Sequence, residues 1–332
     1  VLRILFVHNG LTPFVQLDLA ELRGLYHVTE CHLRSPWFLP ITIWNQVKAH
    51  DVVFGWFASW HTWLPMEFAK LLGKPSVLVV GGYDLANMPE IGYGHQRGGL
   101  RQLISRRTMR AATQLITNSN YSREEAVSNA EIPKERLRAI YHGVPDECGS
   151  FVPGLREPMV LTVGNIDRPN LQRKGHASFV RTAALMPDLN FVLVGAWKDD
   201  AIDQLRSIAT ANVSFTGRVT HEQLQNYYRR ASVYVQPSLH EGFGLSVAEA
   251  MLAGCVPVVT RAGALPEVVG QCGEYVDSTE PQEIADAIET ALAYSGAAKA
   301  ASRQRILDEF PMERRGRAFG QILTDLTAHE SR

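Results

Sequence analysis

The sequence predicts an α/β fold made of two doubly wound, Rossmann-like domains in tandem. Three observations lead there. The chain has 332 residues, about twice the usual size of one domain. Short apolar runs alternate with stretches of helical periodicity, the pattern of repeated βα units. Near the middle one Gly- and Pro-rich interruption breaks the alternation, which then begins again. Composition agrees: 45% hydrophobic and 20% charged residues suit a globular chain and exclude a disordered or collagen-like one. With 33 Lys and Arg against 34 Asp and Glu the formal charge is -1, so the chain is not built to neutralise nucleic acid.

The elements follow in order. Residues 2–8 are nearly all apolar and end in Asn9 and Gly10, which predicts a strand buried on both faces followed by a turn. Further strands are expected at 51–57, Ser76–Val80, Gln114–Thr117 and 137–141, with helices at 60–72 and 100–112. Residues 143–154 carry no strand or helix signal and read as a linker, giving an N-terminal domain over 1–150. Strands are then expected at 159–164, 190–195, 214–217, 232–236 and 256–259, each followed by a helical pattern, in a second domain over 151–310. The tail, 311–332, reads as a final helix with Ile322, Leu323 and Leu326 on one face. Two such domains in tandem are expected to face each other across a cleft between the carboxyl ends of their strands.

The chemistry concentrates in residues 238–254, where an apolar strand runs through a Gly-rich turn into a helix. Gly242 and Gly244 let backbone approach a ligand, and the N–H groups that open the helix favour a diphosphate or a developing anion. Glu241 on the loop and Glu249 on the helix can both accept from the hydroxyls of one bound molecule. Ser246 and Glu249 also fit the capping box S-x-x-E, in which Glu249 serves its own helix terminus. The cysteines Cys31, Cys148, Cys255 and Cys272 show no CxxC spacing, which suits reduced thiols. No D-x-D occurs, and Asp199, Asp200 and Asp203 are wrongly spaced for one, so no metal is expected.

The string HEGFGLSVAEAMLAGCVPVVTRAGALPEVV at 240–269 resembles the E-x7-E segment of the retaining glycosyltransferases of family 4, which have the GT-B fold. The blocks ITNS (116–119), HGVP (142–145), FVLVG (191–195), SFTGRV (214–219) and SVYVQPS (232–238) are similar to that family in the same order. The resemblance implies a sugar transferase that takes a nucleotide-diphosphate sugar as donor and a hydroxyl acceptor, whether glycan, lipid-linked or small molecule. It implies that Glu241 contacts the transferred sugar and Glu249 the ribose. The backbone of Gly242, Phe243, Gly244 and Leu245 would face the sugar and diphosphate, and Lys174 would neutralise the departing diphosphate. It also implies that the C-terminal helix crosses back to the N-terminal domain.

Two positions depart from the family. Asn165 stands where an Arg usually follows the first strand of the second domain, leaving Arg168 and Arg173 as candidates for the diphosphate. A His is usual after the strand at Ser76–Val80, whereas this chain has Gly81, Gly82, Tyr83 and Asp84. Asp84 is either an acceptor-side carboxylate or a turn residue. Gly10 could present its backbone N–H to the diphosphate, or simply turn the chain. These departures keep open a nucleotide-sugar-binding protein without turnover; a separate alternative is another GT-B activity such as a nucleotide-sugar epimerase or a glycogen-type synthase.

Five arginines, Arg97, Arg101, Arg106, Arg107 and Arg110, with no acid among them, share a helix with Leu100, Leu103, Ile104 and Met109. That helix either rests on anionic lipid or charged acceptor, or packs its apolar stripe on the sheet. Trp37, Trp44, Trp56, Trp60 and Trp63 crowd the same half and read as core or as sugar-binding faces. The start lacks a signal-peptide pattern and no apolar run spans a bilayer. The expected setting is therefore the cytoplasm or the inner membrane face.

Overall fold

The computed structural model describes residues 1–34, 40–147 and 156–328. Trp37, Cys148 and most of the segment read as linker lie outside them. The chain divides into two compact units, Val1–Gly143 with Met312–Arg332, and Val144–Pro311.

The first unit holds six parallel strands, β1 (Arg3–His8), β2 (His27–His32), β3 (Val52–Trp56), β4 (Ser76–Val80), β5 (Gln114–Thr117) and β6 (Leu137–Ala139), ordered β2-β1-β3-β4-β5-β6. The continuous apolar runs follow from burial on both faces. Leu5 and Val7 enter one core cluster with Val53, Leu78 and Val80. Ile4 and Phe6 enter another with Val52, Phe54, Val77 and Val79 on the opposite side of the pleat. The final helix, Met312–Ala328, adds Phe319, Ile322 and Leu323 to that second cluster. It is anchored by Arg315, whose Nε and Nη2 donate to Asp18 at 2.6 and 2.8 Å and whose Nη1 donates to the Ile140 and Tyr141 carbonyls. Trp56 Nε1 donates to the same carboxylate at 3.1 Å, so the buried charge is shared among several donors.

The second unit repeats the design with β7 (Glu157–Val163), β8 (Asn190–Val194), β9 (Val213–Gly217), β10 (Ala231–Gln236), β11 (Val256–Thr260) and β12 (Glu274–Val276), all parallel in the order β12-β11-β10-β7-β8-β9. From β7 the chain winds outward to β9, then returns to β10 on the other side. The β7–β10 pair is therefore the topological switch point, where the loops at the strand ends diverge and leave a crevice.

Two strands, β2 and β12, are absent from the sequence expectation. Both lie at sheet edges and are only partly buried, so neither carries a continuous apolar run.

Candidate functional site

The loops that leave β7 and β10 supply the site of the second unit. After β7, Asp167 caps the short helix Arg168–Arg173 by accepting from Asn170 N–H at 2.9 Å, and the chain turns at Gly175. Gly175 has φ +70°, and a Cβ there would fall 2.4 Å from the Pro237 carbonyl oxygen, so only glycine lets the two loops touch. Leu239 N–H donates to the Arg173 carbonyl at 2.8 Å, and Arg173 Nη1 donates to the His240 carbonyl at 3.3 Å. This stitching brings together residues 67 and 68 positions apart: Lys174 Nζ lies 3.4 Å and Arg173 Nη1 3.5 Å from Glu241 Oε2.

All three side chains are largely buried, 12 to 15% exposed. Burial pushes the Glu241 carboxyl upward, but Lys174 and Arg173 outweigh it and hold it below the ordinary carboxylate range. Burial also lowers the Lys174 ammonium, against the attraction of Glu241. Two cations confront one carboxylate, which leaves a positive balance suited to an anionic ligand.

The helix Leu245–Leu252 begins beside this cluster. Its N-cap is Gly244, at φ +96°, and no side chain caps it. The capping-box alternative is thereby overturned: Ser246 donates instead to Gln236 Oε1 at 3.0 Å. Glu249, one position beyond the first turn, accepts from Tyr228 Oη at 2.9 Å. Burial pushes the Glu249 carboxyl up to about 7, opposed by the Tyr228 hydrogen bond. Gln236 Nε2 and Ser238 Oγ, at the end of β10, are buried without a hydrogen-bond partner. Phe243 turns inward, its ring edge-on to Phe310 at 5.4 Å, while Leu245 remains partly exposed. Gly242 lies between them and Glu241, partly exposed.

Other sequence candidates lie elsewhere. Arg168 is exposed and engaged with Asp200 at 2.5 and 2.8 Å, away from Glu241. Asn165 is exposed, its carbonyl accepting from Asn170. In the first unit Gly10 lies in the bend that follows β1, with nothing within 4 Å of the position a Cβ would take. Asp84 is buried, and its two oxygens accept from the Ala58 and Gly81 backbone N–H groups at 2.9 and 3.0 Å. It braces the turn after β3, where Phe57 has the unusual φ of 66°. Burial raises Asp84 to about 7.

The arginine-rich helix is Gly99–Ala111. Although its sequence lacks acids, the fold brings Glu67 to Arg107 at 2.6 Å and Glu131 to Arg106 and Arg110 at 2.7 and 3.6 Å. Among the described tryptophans, Trp56 is buried and Trp44 packs edge-on to Phe68. Sequence reasoning missed Tyr228 and Gln236. Tyr228 sits on the helix His221–Arg230, and nothing local pairs it with a carboxylate 21 positions later. Among the described residues no group of three or more His, Cys, Asp or Glu side chains is placed to hold a metal ion.

Comparison with known proteins gives concordant results. A family profile described as glycosyl transferases group 1 matches residues 157–294, and one described as glycosyltransferase family 4 matches residues 4–147. The O-antigen chain mannosyltransferase B of Escherichia coli is 28% identical over 52% of this chain and 50% of its own length. The D-inositol 3-phosphate glycosyltransferase of Pseudarthrobacter chlorophenolicus is 27% identical over 85% of this chain and 71% of its own. The chain spans about half the length of several curated relatives it matches. The crystal structure of Anabaena HepE in complex with UDP and glucose superposes with a TM-score of 0.81 at 17% identity, covering 98% of this chain and 100% of that one.

Proposed function

The chain belongs to glycosyltransferase family 4, and from that premise we propose that it moves a sugar, with retention of configuration, from a nucleotide-diphosphate donor to a hydroxyl acceptor. The observation that carries this reading is the Arg173, Lys174 and Glu241 cluster at the β7–β10 switch point. Lys174 and Arg173 are the counter-charges for the diphosphate. Held in place before the ligand arrives, they stabilise the negative charge that grows as the sugar–phosphate bond breaks. Glu241 contacts the transferred sugar and, when the site is empty, keeps the two cations paired. Glu249, steadied by Tyr228, receives the ribose hydroxyls. The diphosphate departs and the acceptor hydroxyl attacks from the same face, which makes positioning the chain's main task. The two cations occupy the role a bridging metal would otherwise fill, so the reaction is metal-independent and persists in EDTA.

The acceptor is a hydroxyl of a glycan, a lipid-linked sugar or a small molecule. Asn165, exposed where the family usually has an Arg, favours a second reading in which the chain binds donor without turnover. One experiment separates them: incubation with UDP-, GDP-, ADP- and dTDP-sugars, following thermal stabilisation and release of the nucleoside diphosphate. Stabilisation together with slow release establishes the transferase. Stabilisation with an intact donor establishes the binder.

A further inference from the structure

The first unit carries an unusual face between the helices Trp60–Leu71 and Gly99–Ala111. Leu100 and Leu103, one turn apart on the second helix, are 70% and 63% exposed, and Leu71, at the end of the first, is 71% exposed. Spare hydrophobicity from the core does not explain them, because the sheet beneath has its own fully buried set. Along the same stripe of the helix, at the i+3, i+7 and i+10 spacing from Leu100, come Leu103, Arg107 and Arg110, with both arginines more than half exposed. A cavity of about 310 Å³ opens beside them, lined by Glu67, Lys70, Leu103, Arg107, Arg110 and Ala111. Arg97, in the turn that precedes the helix, and Arg101, in its first turn, donate to neutral groups, the Gly94 carbonyl and the Tyr83 hydroxyl.

We propose that this face docks on an anionic lipid bilayer, with the three leucines at the acyl boundary and the surrounding cations on lipid phosphates. Charge selects the occupant. Lys70, Arg97, Arg101, Arg106, Arg107 and Arg110 outnumber the two carboxylates, Glu67 paired with Arg107 and Glu131 with Arg106 and Arg110. Long cationic side chains around exposed leucines match the layered chemistry of a headgroup region over hydrocarbon. Docking there would bring the chain to a lipid-linked acceptor, yet the inference does not depend on the donor reading.

The test is sedimentation of the full chain with vesicles of phosphatidylcholine alone and of phosphatidylcholine mixed with phosphatidylglycerol. Binding is expected only to the anionic vesicles, weakening as salt shortens the range of the charges. The double variants Leu100→Ser with Leu103→Ser, and Arg97→Gln with Arg101→Gln, are each expected to lower partitioning about tenfold or more. Both should leave the thermal midpoint and hydrolysis of a soluble donor unchanged, since these side chains are exposed. Equal binding to neutral vesicles, no binding to anionic ones, or binding that survives both variants overturns the proposal. Self-association through the leucines without vesicle binding overturns it in favour of a contact between two copies. A chain that binds vesicles but cleaves no donor would overturn the transferase reading and leave this one standing.

Discussion

The two sheets share one topology principle but use their carboxyl ends differently. In the second unit, the loops after β7 and β10 bring charged side chains onto one another, and Glu241, Arg173 and Lys174 remain part-accessible in a crevice. In the first unit, the polar groups after β3 and β4 are spent on their own backbone. Asp84 accepts from Ala58 and Gly81, and His61 bonds through Nε2 to the Trp56 carbonyl at 2.8 Å. A switch point offers a crevice in any doubly wound sheet. Whether it becomes a charged cradle or a braced edge depends on where the loop residues find their partners.

The largest effect expected from this contrast is on turnover. Under the proposed function Glu241→Ala removes a contact to the reacting sugar and not a core residue, so it should reduce transfer by about 10²-fold or more while leaving the circular dichroism spectrum intact. Full activity in that variant would remove Glu241 from the mechanism. In the first unit the large effect should instead be on stability. Arg315→Ala leaves Asp18 buried and uncompensated, with an expected cost of about 3–5 kcal/mol in urea unfolding. A loss below 1 kcal/mol, on the order of a surface pair, would mean that the final helix is held by packing alone. Asp84→Ala should also act on stability, at about 1–3 kcal/mol for each of the two buried N–H groups left unpaired, with little change in donor hydrolysis. A selective loss of transfer would make Asp84 an acceptor-side residue after all.

The last expected effect is a pH dependence. The folded Glu249 titrates near 7, above its ordinary 4.5, so between these values the folded chain holds a proton that the unfolded chain has released. Its contribution is present in full below about 4.5 and is lost as the pH rises through 7. Glu249→Gln should therefore flatten the decline in stability between pH 5 and pH 8, measured by urea unfolding at each pH. An identical decline in both proteins would show that Glu249 is not the group responsible.

Much of this arrangement was legible in the sequence. Strands buried on both faces announce themselves as apolar runs, as in residues 77–80 of β4, whose limits coincide with the expectation. The edge strands β2 and β12 escaped because a half-exposed strand needs no such run. Glu241 and Lys174 stood out through their resemblance to a family, but no local pattern shows that side chains 67 positions apart come within 3.4 Å. That proximity comes from the reversal of strand order. Ser246 and Glu249 looked like a capping box because the spacing is right. The left-handed Gly244 starts the helix two residues earlier, and tertiary partners claim both side chains. The arginine run likewise read as acid-free because Glu67 and Glu131 come from other elements.

The central claim is that Lys174 and its neighbours form the diphosphate site. Calorimetric titration of wild type and Lys174→Ala with the nucleoside diphosphate that most stabilises the wild-type chain tests it most directly. A drop in affinity of about tenfold or more, the scale of a charge-assisted contact, with an unchanged thermal midpoint for the empty protein, is the predicted result. Equal affinity in the two proteins would contradict the account and place the phosphates elsewhere.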